Sequence, residues 1–172
     1  IYKGSGLNML RIRRAVIKKI NKYTYAQGTR FMDNGSRNYD VAGQRLPSVT
    51  TILGRTKDDT YLRKWIAKKG KEEAERIKTQ SAVRGTSMHK YLENYVLGKG
   101  YEDLTELGKT TKRMAQKVIE VGLAPVSGFY GSEVTLYYPG LYAGSTDLVG
   151  IHNDKETIID FKQANRPKRE EW

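Results

Sequence analysis

The tripeptide Asp160-Phe161-Lys162 lies in the run Glu156–Gln163, whose alternation of apolar and polar residues predicts a β-strand. Residues i and i+2 of a strand share a face, so Asp160 and Lys162 project together, about 6.5–7 Å apart along the strand. Ile159 and Phe161 then turn the other way, into apolar packing. A carboxylate beside an ammonium can hold a hard cation and orient or polarise a nearby water. A lysine two positions after an acid is expected by chance in a lysine-rich chain, and this is the one such match, so its surroundings carry the information. The preceding run, Leu141–His152, supplies Asp147 within Gly144-Ser145-Thr146-Asp147. A turn at Asn153–Lys155 puts Asp147 and Asp160 at nearly matched distances from the hairpin tip. Cross-strand neighbours on one face bring carboxylates within roughly 4.5–8 Å, a span that one or two divalent ions bridge. Both acids interrupt apolar strands, where an unpaired carboxylate is costly. Two arrangements meet that cost: a metal site, or a plain Asp–Lys ion pair at a sheet end.

A third group comes from Arg84-Gly85-Thr86-Ser87-Met88-His89-Lys90-Tyr91-Leu92-Glu93. His89 is one of only two histidines, and Glu93 sits one helical turn later on the same face. A neutral imidazole there can add a ligand to a site built on a sheet. The competing reading is a surface or core-edge histidine. His152, beside the hairpin turn, is given no role.

The elements that must position these groups can be read in outline. Asp33-Asn34-Gly35-Ser36 and Ala42-Gly43 are turn signals around Arg37–Val41, predicting a small hairpin. Ser48, after Pro47, is a candidate N-cap for a short helix over Val49–Leu53. Apolar stripes predict helices over Asp58–Lys69, Glu72–Lys78, Val83–Leu97 and Lys109–Val121, with Gly98 and Gly100 closing the third. After Gly122 the period changes from 3.6 to 2, predicting strands Tyr130–Tyr138, Leu141–His152 and Glu156–Gln163 joined by tight turns. The expected fold class is α/β or α+β: an antiparallel three-strand meander flanked by helices. Residues 1–30 are expected to be a basic N-terminal extension, with Met9–Ile20 forming a weakly amphipathic helix, and residues 31–172 the folded core. A poorly ordered extension is the default reading, a phosphate-contacting arm competes with it, and a targeting peptide ranks last because the stretch holds a single serine, Ser5.

Composition narrows the partners. The 172 residues carry 31 Lys+Arg against 19 Asp+Glu, a formal charge of +12, and residues 1–32 contain no acid at all. Such a chain attracts polyanions, nucleic acid foremost, although a merely solvated basic surface has the same charge. Twelve tyrosines add side chains that can stack on unpaired bases, while most tyrosines belong to core edges. Cysteine is absent, which excludes a disulfide scaffold, thiolate zinc and iron–sulfur sites and cysteine nucleophiles, and fits an intracellular setting. No apolar run approaches the ~18 residues of a membrane-spanning helix, so no membrane partner is expected.

Taken in order, Gly-Thr-x-x-His-x-x-x-x-Glu, then Gly-x-x-Asp, then Ile158-Ile159-Asp160-Phe161-Lys162 resembles the PD-(D/E)XK nuclease superfamily. The likeness is to RecB-like exonucleases, a group that includes the mitochondrial genome maintenance exonuclease and related phage enzymes, and it spans about residues 37–172. It implies a restriction-endonuclease-like core and a metal-dependent DNA exonuclease acting on single-stranded or duplex ends. It further implies that His89, Asp147, Asp160 and the Phe161 backbone carbonyl ligate Mg2+ or Mn2+, and that Lys162 positions the attacking water or steadies the transition-state charge. Glu133 and Glu93 become candidates for a supporting shell. Arg84, Lys68, Lys69, Lys112, Arg166 and Lys168 become candidate phosphate contacts, although the lysines also fit a solvated helix face. Members of the superfamily continue past the DxK strand into a helix bearing Gln and Tyr, whereas this sequence stops at Trp172. The fold is therefore expected to be completed by a further C-terminal segment or a second chain. The rival readings are a non-catalytic nucleic-acid-binding module and a structure-selective endonuclease or resolvase. The expected setting is a phage-infected or bacterial cytoplasm, with the mitochondrion as alternative.

Overall fold

A computed structural model of the chain describes residues 17–164. Strands β1 (Lys18–Lys19), β2 (Gly28–Asp33), β3 (Ser36–Val41) and β4 (Gln44–Pro47) come first. Helices α1 (Val49–Thr56), α2 (Thr60–Lys69), α3 (Lys71–Val96) and α4 (Glu106–Lys117) follow. A π-helical turn at Val118–Gly122 then leads into β5 (Val126–Tyr138), β6 (Tyr142–His152) and β7 (Lys155–Ile159). Among the described residues the strands form two sheets, one in the order β1-β5-β6-β7 and one in the order β2-β3-β4. The fold is mixed α+β.

Turn chemistry sets the registers. The β2–β3 turn places Asn34 and Gly35 at φ of 46° and 73°, and the β6–β7 turn places Asn153 and Asp154 at 47° and 60°. Left-handed pairs of this kind match the twist of two-residue hairpins, and Asn, Asp and Gly tolerate them best. The expected hairpin is thus part of a three-stranded meander, because Ala42-Gly43 also turns the chain tightly, into β4. Ser48 caps α1 as expected, its hydroxyl accepting the Thr51 N–H at 3.0 Å.

The two helical runs expected over Glu72–Lys78 and Val83–Leu97 are one helix. Helix α3 runs unbroken for 26 residues from Gly70, whose φ of 84° ends α2, and Glu72 and Glu73 favour its positive N-terminal pole. No proline interrupts Thr79–Ala82, and Gly85 costs the helix only about 0.5–1 kcal/mol. Its missing side chain leaves room for Gln163, whose Nε2 would lie 3.3 Å from a Cβ at this position. Buried Met88, Tyr91, Leu92 and Val96 form the inward stripe. They pack with Leu148, Phe129 and Phe161 of the large sheet and with Ala115 of α4 into the main core. A smaller cluster of Tyr39, Val41, Leu46 and Ala143 joins the three-stranded sheet to β6.

Three further expectations are corrected. Chain from Ile17 onward belongs to the core rather than to an extension: Ile17 is buried, β1 pairs in parallel with β5, and Lys22 meets Glu156 at 2.5 Å. Lys18-Lys19 is strand, not helix, and the remainder of the expected basic helix lies outside the described residues. The last strand stops at Ile159 rather than Gln163, for a reason found at the site below. No helix among the described residues is long and apolar enough to cross a membrane. Leu92 is fully buried between helices and sheet. Leu92→Ala is expected to lower unfolding stability by about 2–5 kcal/mol in urea titrations, through lost transfer energy and a residual cavity.

Candidate functional site

Helix α3 carries His89 to the middle of β6, where its Nδ1 lies 3.1 Å from Asp147 Oδ1. The second oxygen of Asp147 accepts the backbone N–H of Phe161 at 2.5 Å, and the Thr146 hydroxyl donates to the Ile159 carbonyl at 3.3 Å. The last backbone pair of β6 with β7 is Leu148 with Ile159. Side chains of residues 146 and 147 therefore take over the hydrogen bonding where the ladder stops, and β7 ends there. Continuing the register by one residue sets Asp160 opposite Asp147. Phe161 turns inward as expected, buried, with its ring edge-on to His89 at a centroid distance of 6.2 Å.

Strand β5 adds Glu133, flanked by the pairs Ser132–Leu148 and Val134–Thr146. Its φ of 53° is a left-handed conformation that non-glycine residues seldom adopt and that costs of order 1–3 kcal/mol. His89, Glu133 and Asp147 each present a ligand atom, all within 4.8 Å of one another. Sequence reasoning placed Asp160 in this trio and Glu133 behind it. The structure puts Glu133 in the close group and turns Asp160 to Lys162, Oδ2 to Nζ 2.5 Å, with both side chains at least half exposed.

The electrostatics are those of a cluster seeking positive charge. The hydrogen bond to Asp147 raises the His89 imidazole above its ordinary value, against the opposing effect of burial. Burial pushes the Glu133 carboxyl up, and the charges of Asp147 and Glu93 add to this. Burial also opposes ionisation of Asp147, yet the bonds from His89 and from the Phe161 N–H prevail and hold its carboxyl low. One imidazole with converging carboxylates is a donor set that suits a divalent cation, and crowded acids would be relieved by one.

A cavity of about 1100 Å³ gathers His89, Glu93, Glu133, Asp147, Asp160 and Lys162 on one side. Arg30, Arg37, Tyr137, Tyr138 and Tyr142 line it as well, and sequence reasoning named none of these. The arginines arrive through the docking of the three-stranded sheet on β6, a contact between distant segments that leaves no local pattern, and the tyrosines stand at the tip of the β5–β6 hairpin. The expected phosphate contacts fare differently. Lys68 and Lys69 close α2 away from the cavity lining. Arg84 donates to the Gln163 side chain, which in turn donates to the Ser81 carbonyl, so this pair ties the chain after Lys162 to α3. Lys112 pairs with Glu102 at 2.7 Å and lines a separate groove beside Tyr91 and Tyr95. Arg166 and Lys168 lie outside the described residues.

Comparison with protein-family models, curated proteins and solved structures finds no match.

The His89–Asp147 contact makes a titration expectation. Because the folded imidazole value is raised, its stabilising contribution is complete below the ordinary value of 6.5 and fades as pH rises through the folded value. In NMR titrations, Asp147→Asn is expected to move the His89 midpoint down toward the ordinary value, while the one other histidine, His152, supplies a separate signal. An unmoved His89 midpoint contradicts the coupling.

Proposed function

We propose that the chain is a metal-dependent deoxyribonuclease with a restriction-endonuclease-like core of the PD-(D/E)XK class, hydrolysing phosphodiester bonds at single-stranded or frayed DNA ends. The observation that carries this reading is the convergence of His89, Asp147, Asp160 and Lys162 on one cavity of a chain with formal charge +12. Two of these residues come from β6 and α3, and the other two from the segment just after β7. An Asp–Lys pair at a sheet end accounts for Asp160 and Lys162 alone. It does not account for His89 and a left-handed Glu133 directed at the same point.

His89, Asp147, Asp160 and the Phe161 carbonyl would hold Mg2+ or Mn2+, with Glu133 facing the same position. Bound there, such an ion supplies polarisation of the scissile phosphate and a water of lowered pKa. The protein's own groups do the rest. The Asp147 bond to the Phe161 N–H fixes the peptide whose carbonyl is a proposed ligand. Asp160 holds the Lys162 ammonium at the cavity wall, where it can orient the attacking water and offset charge growing on the phosphate. Glu93, one turn beyond His89, lines the cavity and adds negative charge behind Glu133. Arg30 and Arg37 supply cationic contacts for the DNA backbone, and such contacts weaken steeply with salt.

End-labelled single-stranded DNA is expected to shorten with Mg2+ or Mn2+ and not with EDTA, while a closed circle stays intact. Asp160→Ala and Lys162→Ala are each expected to slow shortening by about 10²- to 10⁴-fold with DNA binding retained. Cleavage that survives in EDTA, or full activity in Asp160→Ala, removes this reading.

A further inference from the structure

The β5–β6 hairpin tip carries Tyr138 and Tyr142 as direct cross-strand partners, their rings 6.0 Å apart between centroids and inclined by 34°. Tyr138 is 57% and Tyr142 41% exposed, so neither ring is spent on the core. Both line the cavity that holds the acid cluster. Each stands five residues along its strand from the acids at Glu133 and Asp147, about 17 Å at strand rise. The hairpin tip is held in place. Gly140, at φ 74°, donates its N–H to Gln44 Oε1 at 2.7 Å, and Ala143, fully buried, is locked against Tyr39, Val41 and Leu46. A fixed tip presents the two rings without the ordering cost that a flexible loop would carry on binding.

The charges around the rings select an occupant. Arg30 and Arg37 line the same cavity from the three-stranded sheet, and neither closes an ion pair with an acid among the described residues. A planar guanidinium matches a phosphate group, and an exposed aromatic ring matches the face of a base. Only an unpaired strand offers both together, because a duplex keeps its base faces stacked inside.

We infer that Tyr138 and Tyr142 form a stacking platform for bases of single-stranded DNA upstream of the acid cluster, with Arg30 and Arg37 on the backbone, so that the site selects unpaired over duplex strands. The polymer's identity rests on the reading proposed above; the platform itself rests on the rings, their exposure and the arginines.

The test measures binding apart from hydrolysis. Fluorescence anisotropy of labelled oligodeoxythymidylate and of a labelled hairpin duplex is followed in EDTA, with metal-dependent shortening assayed separately. The double variant Tyr138→Leu/Tyr142→Leu is expected to weaken single-strand binding by roughly 5- to 150-fold. Duplex binding, carried by phosphate contacts, is expected to stay within about twofold. The Tyr138→Phe/Tyr142→Phe variant keeps both rings and is expected to bind single strands like the wild type. Circular dichroism of all variants checks that the hairpin tip still folds. Undiminished single-strand binding by the Leu variant overturns the platform, as does a wild type that binds the duplex at least as tightly or binds no single strand. Tyrosine-dependent binding without metal-dependent shortening supports the platform and removes the nuclease reading. Shortening with tyrosine-independent binding does the reverse.

Discussion

The two oxygens of the Asp147 carboxylate hold the site together. One meets His89 on α3, and the other takes the N–H of Phe161 at the point where β7 leaves the sheet. A helix and a strand end distant in sequence are thereby tied to a single side chain on β6. The tie is strong because it is charge-assisted and half-buried, where hydrogen bonds to an ionised group count for more than at the surface. Removing that carboxylate would free the imidazole, unfasten Phe161 from β6 and relieve Glu133 of the negative charge that holds its carboxyl up.

Charge around this anchor is laid out in two zones. On one side, buried and crowded acids raise the affinity for protons and cations, visible in the upward displacement of both His89 and Glu133 and in Lys162 lying against Asp160. On the other, Arg30, Arg37 and the tyrosines of the hairpin tip offer cationic and aromatic contacts. A cavity lined by acids as well as by arginines and tyrosines admits a polyanion only if its charge is met at the acids. The reading of the acids as cation ligands supplies that condition.

Much of this was legible in the chain itself. The turns at Asn34-Gly35 and Asn153-Asp154 announce their hairpins through residues that tolerate left-handed backbone, and the meander of β5, β6 and β7 follows from a period of two. Counting from the β6–β7 turn matches the register as far as its last pair, Leu148 with Ile159, while Asp160 just beyond it turns to Lys162. What escaped depends on side chains replacing backbone. The end of β7 is set by Thr146 and Asp147 bonding to its peptide groups, which no alternation pattern encodes. The space beside Gly85 in α3 is taken by Gln163, a contact across 78 residues. Glu133 was legible as a supporting acid and not as a member of the close group, because nothing local signals that its backbone turns left-handed. The integration of the chain from Ile17 was hidden by its run of bases, although Ile17 and Ile20 carry the apolar contacts that bind it to β5.

The central claim is that these groups converge on a divalent cation through Asp147. Titrating the protein with Mn2+ and following the free ion by electron paramagnetic resonance tests it without any substrate. The account expects the wild type to take up Mn2+ and Asp147→Ala to bind it at least about tenfold more weakly. Glu102→Ala, altered at the acid paired with Lys112 in the separate groove, should bind like the wild type. Equal Mn2+ uptake by wild type and Asp147→Ala, or none by the wild type, would contradict it.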